Sequence, residues 1–340
     1  MTAVHGSWFM VHGNRARRGS ILLYVVWVVM LLSLLVVGTG SQARFALELS
    51  DRLLEQLRAI YVARGALQYA LGVIAADPTP AFDGFSDDWA ADSTLFEEHA
   101  FLGGSFSLLN ERTSGGSATY GFADEERRLN LNTAPEDVLQ RLVETVGGLS
   151  EADAVGVAQS IADWRDEDND ERPRGAEGLY YRSREHGYDC KDGPLENIEE
   201  LQLVRGVTPD LYRRLEPYVT VYGSGRLNLN TAGPEVLRSL GLSEAGVAGL
   251  REFRTGEDGV ERTSDDRLLV SMEELESQLK AYVPVEDLAQ LTKLARDHVL
   301  AAGSDAFRTT IVAGFGRALA MIRVWCLVDR HGTVLLWSER

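Results

Sequence analysis

Catalytic signatures are the first thing missing from this sequence. It contains no Gly-x-Ser-x-Gly nucleophile elbow and no phosphate-binding loop of the Gly-x4-Gly-Lys-Ser/Thr kind. Its histidines are scattered: His5 and His12 precede the apolar segment, and His99, His186, His298 and His331 show no metal-ligand pairing. Cysteine is almost absent, with only Cys190 and Cys326, which excludes a disulfide scaffold. One bridge in an oxidising compartment and two buried thiols both fit that count. Basic residues are in the minority, 34 against 51 acids, for a formal net charge of −17. Arg15, Arg17 and Arg18 fall in the first 19 residues, which hold no acid, so the remainder is more acidic still. A surface of that sign repels nucleic acid and anionic lipid and suits divalent cations or a basic partner face.

What is present begins with a long apolar run. Ser20–Val37 carries no charge, and Gly38-Thr-Gly-Ser41 extends it. About 20 such residues, as a helix, span a bilayer core of roughly 30 Å. The basic cluster ahead of the run sets the orientation, which leaves the bulk of the chain across the membrane. Three readings compete: a secretory signal cut near Thr39–Ala43, a plain signal anchor, and a prepilin leader cut between Gly19 and Ser20. The basic stretch ending in glycine resembles the leaders of type IV pilins and pseudopilins. Mature pilins of that superfamily carry glutamate as the fifth residue after the cut; here it is Tyr24. Beyond the run, Leu49, Leu53, Leu57, Ile60, Ala63, Leu67, Leu71 and Ile74 follow a three-to-four spacing. This predicts one continuous stalk helix, ended by Pro78 and Pro80.

The remainder is expected to be α+β. Residues 77–103 are acidic and loop-like, and strands are predicted over Gly103–Asn110 and Ala118–Phe122. A helical pattern follows from Arg128 to Ala302. Strands return over Phe307–Ala313, Ala318–Val328 and Thr333–Trp337, with a hairpin turn at Asp329-Arg-His-Gly332. The organisation read from this is a leader over 1–19, a transmembrane and stalk helix over 20–76, and a first α/β part over 77–127. An inserted α-domain occupies 128–302, and returning strands fill 303–340.

The insert repeats itself. Leu129-Asn-Leu-Asn-Thr-Ala134 recurs as Leu227-Asn-Leu-Asn-Thr-Ala232, and Gly148-Leu-Ser-Glu-Ala152 recurs as Gly241-Leu-Ser-Glu-Ala245. Shared words in shared order indicate a duplicated supersecondary unit. Thr133 and Glu136 have capping-box spacing, and Pro135 suits a first helical turn. Arg205-Gly-Val-Thr-Pro209 is a third turn of the Gly-Leu-Ser kind. The units resemble helix-hairpin-helix (SAM-like) repeats, which in nucleic-acid-binding proteins hold phosphates at hairpin amides. No basic strip accompanies the hairpins here.

Two loops are strongly acidic. In the first, Asp166, Asp168, Asp170 and Glu177 stand at positions 1, 3, 5 and 12 of an EF-hand-like count. Position six is Glu171 and not the glycine that an EF-hand turn needs, so the loop is not an EF-hand. Asp163, Asp189, Asp192 and Glu196 are further oxygen donors nearby. In the second, Gly256-Glu-Asp-Gly-Val-Glu261, the acids do not alternate, and a solvated loop is expected. Gly223-Ser-Gly225 reads as a turn, and Trp164 as core.

Taken together the chain resembles the GspK family, minor pseudopilin K of type II secretion. The residues that carry the resemblance are Arg18-Gly19 with the apolar run, Arg128–Ala134, Asp163-Trp-Arg-Asp-Glu-Asp168, Gly175-Ala-Glu177 and Tyr180-Tyr181. They continue with Asp192-Gly-Pro194, Glu199-Glu-Leu201, Val204-Arg-Gly-Val207 and the second Leu-Asn-Leu-Asn-Thr-Ala. Departures are the long leader and an aspartate at 192 where relatives carry Asn-Gly-Pro. The resemblance implies a non-enzymatic subunit with a pilin-like fold: a long N-terminal helix, a small antiparallel sheet and a large inserted α-domain. It implies processing between Gly19 and Ser20 by prepilin peptidase, with methylation of Ser20, and residence in the bacterial inner membrane with the bulk periplasmic. It implies partners in the I- and J-type minor pseudopilins and the major pseudopilin, at the pseudopilus tip. The missing glutamate fits this subclass, because a tip subunit has no neighbour above it whose amine a buried carboxylate must meet. It also implies structural calcium, with Asp166, Asp168, Asp170, Glu177, Asp189 and Asp192 as its expected ligands. The alternatives are a membrane-anchored helix-hairpin-helix nucleic-acid receptor and an anchored, calcium-stabilised adhesin-like protein.

Overall fold

The structure, a computed structural model, describes residues 18–112, 118–315 and 320–339. Residues 1–17 of the expected leader lie outside the described residues. Of Gly19 and Ser20 only the helical backbone is described, so the expected processing site is untouched by side-chain geometry. Packing divides the chain into two units, Met1–Leu57 and Arg58–Arg340.

One helix, α1 (Arg18–Ala75), supplies the first unit and opens the second. Its apolar part reaches a mean hydropathy of 2.8 over its most apolar window, long and apolar enough to cross a membrane. Large apolar side chains from Ile21 to Val37 are exposed, as a segment facing lipid requires. The polar residues in the run satisfy themselves. Ser33 Oγ donates to the Val29 carbonyl at 2.7 Å, and Thr39 Oγ1 to that of Leu35 at 2.9 Å.

In the second unit the last turns of α1 bury Ala59, Val62, Ala63, Ala66, Leu67, Ala70 and Ile74. Of the expected stripe, Ala63, Leu67 and Ile74 belong to this face, whereas Leu49, Leu53 and Leu57 are exposed. The packed face has a steric reason. Alanines and Gly65 let the helix lie close to its neighbours, and a Cβ at Gly65 would fall 2.2 Å from the Phe101 ring.

Short helices α2 (Asp88–Ala91) and α3 (Ser93–Phe96) lead into β1 (His99–Phe101), β2 (Gly104–Arg112), β3 (Ala118–Tyr120) and β4 (Ala123–Asp124). The chain then leaves the sheet. In the insert, β5 (Leu129–Asn130) precedes α4 (Glu136–Thr145), α5 (Glu151–Arg165) and α6 (Gly178–Arg182). A 3-10 turn (Ile198–Leu203), α7 (Pro209–Leu215), β6 (Val219–Thr220) and β7 (Leu227–Asn228) follow. The insert ends with α8 (Pro234–Ser239), α9 (Glu244–Arg254), α10 (Leu275–Leu279), α11 (Val285–Arg296) and β8 (Leu300–Ala301). The chain returns through β9 (Ala306–Phe315), β10 (Ala320–Asp329) and β11 (Val334–Glu339). The antiparallel sheet runs β1-β2-β9-β10-β11, with β3 on β2 and β4 on β9. Gly332, at φ +88°, closes the last hairpin, a conformation that glycine adopts without strain.

Two cores result. One joins α1 to the sheet, from Val62 to Val328; the other fills the insert, from Leu129 to Leu300. Cys190 lies in the second core and Cys326 in the first, both as free buried thiols. The insert also holds two short parallel pairs, β5 with β6 and β7 with β8, that the helical pattern did not predict.

The duplicated sequence is a duplicated structure. The second asparagine of each motif pairs with the backbone of one leucine. Asn132 Nδ2 donates to the Leu195 carbonyl at 2.9 Å and Oδ1 accepts its N–H at 2.8 Å; Asn230 does the same to Leu269 at 3.0 and 2.8 Å. Arg165, ending α5, donates to the carbonyls of Leu131 and Ala134; Arg254, ending α9, donates to those of Leu229 and Ala232. Each hairpin turns on a positive-φ glycine followed by a hydroxyl cap: Gly148 with Ser150, Gly241 with Ser243, and Gly206 with Thr208 in the third turn. The expected Thr133–Glu136 capping box does not form. Pro135 is itself the cap residue of α4, the Thr133 hydroxyl donates to the Gly225 carbonyl, and Glu136 accepts from Gln159.

Candidate metal centre

Because the units correspond, their acidic loops correspond too. Each runs from the arginine that closes its helix pair to the leucine held by its asparagine: 166–194 in the first unit, 255–268 in the second. The two loops treat their carboxylates differently.

The second loop is self-contained. Asp265 Oδ2 accepts from the N–H groups of Glu257 and Asp258 at 2.7 and 3.1 Å, and Oδ1 from the Thr263 hydroxyl at 2.7 Å. Those bonds hold its carboxyl down at about 2. Asp266 Oδ2 accepts from the Arg262 N–H at 2.8 Å.

The first loop leaves carboxylates unmet. Both oxygens of Glu177, Oδ1 of Asp166 and Oδ1 of Asp192 are buried and find no hydrogen-bond partner among the described residues. Glu177 is only 4% exposed. Carboxylate oxygens of Asp166, Asp168 and Glu177 lie within 4.8 Å of one another, and so do ligand atoms of Glu177, Cys190 and Asp192. Thus four of the six expected ligands, Asp166, Asp168, Glu177 and Asp192, fall in these two groups around Glu177. Asp170 and Asp189 belong to neither. Asp170 gives its N–H to Asp168 Oδ1 at 2.9 Å, and the exposed Asp189 carboxylate lies 3.4 Å from Arg182.

Local structure explains the convergence. In the last turn of α5, Trp164 is buried against Tyr181 at 5.0 Å between ring centroids, as the core reading required. That ending fixes Asp163 inside and Asp166 at the mouth of the loop. Gly175 is obligatory, since a Cβ there would lie 1.8 Å from Asp163 Oδ2. Asp192 holds φ +50°, a region that aspartate tolerates at modest cost and that turns its carboxylate inward.

Charge is unevenly offset. Arg172 reaches Asp163 Oδ1 and Asp166 Oδ2, each at 2.6 Å, and Glu136 at 3.5 Å. Asp163 is therefore paired, although burial still pushes its carboxyl up against the pull of Arg172. Glu196 is engaged by Lys191 at 3.6 Å. Among the described residues Glu177 has no such partner. Burial, and then the charges of Asp163, Asp166 and Asp192, push its carboxyl up to about 7. Orphaned hard oxygens around an uncompensated buried carboxylate fit a divalent cation with oxygen preference, such as calcium. The sequence reading missed Arg172 as the internal cation and Cys190 as a member of the cluster; the alternation of acids signalled neither.

A second group of buried acids lies where the insert leaves the sheet. Asp83, Asp124, Glu125 and Glu126 are all within 3% of full burial. Arg330 pairs with Asp83 and, at 2.9 Å, with Asp77. Asn228 Nδ2 donates to the Asp83 carbonyl, Asp124 Oδ2 and Ser304 Oγ at 3.2, 2.9 and 2.9 Å. Glu126 accepts from the Ser224 N–H and hydroxyl within the Gly223-Ser-Gly225 turn. Burial raises Asp83 and Glu126 each to about 7. Glu125 Oε1 accepts from the Thr220 hydroxyl at 2.7 Å and its Oε2, without a hydrogen bond among the described residues, lies 3.7 Å from Arg308, so this cation-paired group reads as a joint and not as a cation site.

Comparison with known proteins follows the same outline. The fold, a long N-terminal helix carried into an antiparallel sheet that brackets a helical insert, matches a chain in the crystal structure of the GspK-GspI-GspJ complex from enterotoxigenic Escherichia coli. The TM-score is 0.65, over 86% of this chain and 99% of that one, at 19% identity. Residues 118–224, which contain the first repeat and its acidic loop, match the family model described as type II secretion system (T2SS), protein K. Type II secretion system protein K of Klebsiella pneumoniae is 26% identical over 236 residues, 65% of this chain and 68% of that protein. The protein of the same name from Aeromonas hydrophila is 37% identical over 101 residues, 28% of this chain and 30% of its own length. Over residues 118–224 the chain is thus similar to the type II secretion protein K family.

Proposed function

We propose that the chain is a K-type minor pseudopilin. It is a structural subunit that sits with I- and J-type minor pseudopilins at the tip of a type II secretion pseudopilus and helps start its assembly. The observation that carries this reading is the likeness to a chain of the GspK-GspI-GspJ complex along nearly that chain's whole length, joined to the family match over residues 118–224. These matches favour secretion over the nucleic-acid-receptor alternative, as does the net charge of −17. In this reading α1 is anchored in the bacterial inner membrane, and Arg58–Arg340 works in the periplasm. Prepilin peptidase cuts between Gly19 and Ser20, Ser20 is methylated, and Tyr24 replaces a glutamate that a tip subunit does not need. The paired helices α4–α5 and α8–α9 are helix-hairpin-helix-like units used as a scaffold.

Within the same reading, Asp166, Asp168 and Glu177, with Asp192 beside them, hold calcium as a structural ion. The cation supplies positive charge where the chain itself supplies none. The surrounding residues do the rest: Arg172 neutralises Asp163 and one oxygen of Asp166, and Gly175 leaves room for the buried carboxylates.

The test is co-expression of the full chain with the I- and J-type pseudopilins and the prepilin peptidase of its own secretion system. A ternary complex extracted from membranes, with a mature chain that begins at a methylated Ser20, is the expected result. A chain recovered alone, or one that begins near Ala43, refutes the reading.

A further inference from the structure

We infer that the second unit carries a groove between α8 and α9 that binds an extended polypeptide segment through one carboxylate side chain. The cavity there has a volume of about 650 Å³, within the roughly 300–1,000 Å³ of ligand clefts. Pro234, Leu237, Val247 and Ala248 give it an apolar wall, and Arg251 and Arg254 line it with guanidinium groups. The groove shares no residue with the acidic loop of the first unit.

The first unit shows what such a groove takes. Beside Glu136 and Arg165 its space is filled from within. Gln159 donates to Glu136 at 2.9 Å, Arg172 lies 3.5 Å from the same carboxylate, and the Arg174 N–H donates to Gln159 Oε1 at 2.9 Å. The chain thus lays a segment of itself against α4 and α5, held by a charged side chain that Glu136, Asp163 and Asp166 all meet. In the second unit Pro234 stands in place of Glu136, and Thr255 follows Arg254 where Asp166 follows Arg165. Arg251 stands in place of Ala162, and only Asp163 keeps an acidic counterpart, the exposed Glu252. The second loop adds Gly259 and Glu261 to the lining and leaves the cavity open. The charge of the wall has therefore moved from acid toward base, and the filler it suits changes sign with it.

The donors decide the ligand. Arg254 is 7% exposed; its Nη atoms donate to the Leu229 and Ala232 carbonyls and to Glu261, and its Nε finds no acceptor among the described residues. Buried donors ordinarily find one. Arg251, exposed on the same helix, enters no ion pair among the described residues, whereas Arg238 is committed to Glu244 at 2.6 Å. Two guanidinium groups with open donors call for a charged acceptor, and a carboxylate matches their fork. Glu252, next to Arg251, opposes a second negative charge and so selects against a polyanion such as nucleic acid. The apolar wall asks for more than a bare anion, so the carboxylate comes on a polypeptide, as an aspartate or glutamate between apolar residues.

The experiment titrates the full chain in detergent with a fluorophore-labelled, amidated peptide Ala-Leu-Glu-Leu-Ala at about 0.15 M salt and follows anisotropy. Saturable binding of one peptide per chain is expected, roughly tenfold tighter or more than for the same peptide with glutamine in place of glutamate. Arg251→Glu, at an exposed position, reverses the preference, so that the lysine counterpart of the peptide binds better than the glutamate form. Ala248→Trp, which fills the cavity without touching a charge, abolishes binding of both. Melting temperatures of the two variants near that of the wild type show that the fold is kept; should either unfold, the comparison of glutamate with glutamine on the wild-type chain decides. No saturable binding of the glutamate peptide, equal binding of the glutamate and glutamine peptides, or binding that survives Ala248→Trp overturns the inference. A single-stranded oligonucleotide that binds the wild-type chain more tightly than the peptide, and loses that binding in Ala248→Trp, overturns it in favour of nucleic acid.

Discussion

Replacing Glu177 by glutamine should move stability in opposite directions with and without calcium. In the absence of a cation, burial and three neighbouring carboxylates lift the Glu177 carboxyl from 4.5 to about 7. A folded-state acid raised above its unfolded value favours folding only while it is protonated. Its penalty is absent below the unfolded value, grows as pH rises through the window, and is complete above about 7. At 1.36 kcal/mol per tenfold change, that window is worth at most roughly 3 kcal/mol. Glutamine removes the charge, and its amide can donate to Asp166 Oδ1 or Asp192 Oδ1, both without partners. In chelator at pH 8, Glu177→Gln should therefore melt higher than the wild type. Calcium at a hundred times its dissociation constant stabilises by about 2.7 kcal/mol, a shift of roughly 5–11 °C for a domain of this size. In the variant most of that gain should disappear. Scanning calorimetry of the full chain in detergent, with chelator and then with calcium, reads both effects. A variant that melts lower in chelator, or that keeps the full calcium shift, refutes the reasoning.

Other perturbations test the scaffold. With Asp83 and Glu126 each raised to about 7 by burial, both groups should make calcium-free stability fall as pH climbs from about 4 to about 7. Glu126→Gln should flatten that fall by up to about 3 kcal/mol in denaturant titrations at several pH values; an unchanged slope counts against the burial argument. Asn228→Ala removes three donated bonds and the one accepted from the Asn230 N–H, and should cost roughly 3 kcal/mol. Its counterpart Asn130→Ala loses bonds to the Tyr222 carbonyl and the Asn132 N–H and should cost about half as much, so equal losses would contradict the assigned asymmetry. Gly249→Ala sets a Cβ 2.0 Å from the Tyr282 carbonyl and should destabilise by about 2 kcal/mol, whereas at the equivalent Gly156 the nearest atom is 3.6 Å away. Gly156→Ala should therefore stabilise by up to about 1 kcal/mol, and a loss there would refute the packing argument.

The parts of the fold that were legible in the sequence are those where one residue type has one physical job. The apolar run from Ser20 to Val37 and the prolines at 78 and 80 bound a helix that is found over Arg18–Ala75. The β-rich stretches Phe307–Ala313 and Ala318–Val328 correspond to β9 and β10; buried residues repeat every second position in β9, whereas β10 buries Cys326, Leu327 and Val328 in succession. The spacing of Leu49, Leu53 and Leu57 announced the helix but not its packed face, which is rich in alanines whose value lies in their smallness. The four one-rung parallel strands of the insert escaped because two residues cannot show a period. In the acidic loop the alternating aspartates drew attention to Asp170, whose carboxylate stays outside both groups. The decisive residues, Glu177, Asp192 and Cys190, are brought together by a path from α6 through Tyr188 that no linear spacing encodes.

Why one loop of the pair should need a cation follows from magnitudes. The first loop is about twice as long as the second, but doubling a flexible loop costs only about 0.6 kcal/mol in closure entropy. Length alone therefore does not call for a cross-link. Charge does: the second loop turns its half-buried aspartates onto its own N–H groups. The first buries Glu177 beside Asp166 and Asp192, with one arginine that is already committed to Asp163 and Asp166. An uncompensated buried carboxylate costs several times the closure entropy. The duplicated frame, with its paired asparagines and arginines, tolerates either loop because it anchors only the two ends. On the calcium reading proposed above, the cation requirement resides in the loop of the first unit and not in its helices, so removing it leaves the duplicated scaffold undisturbed.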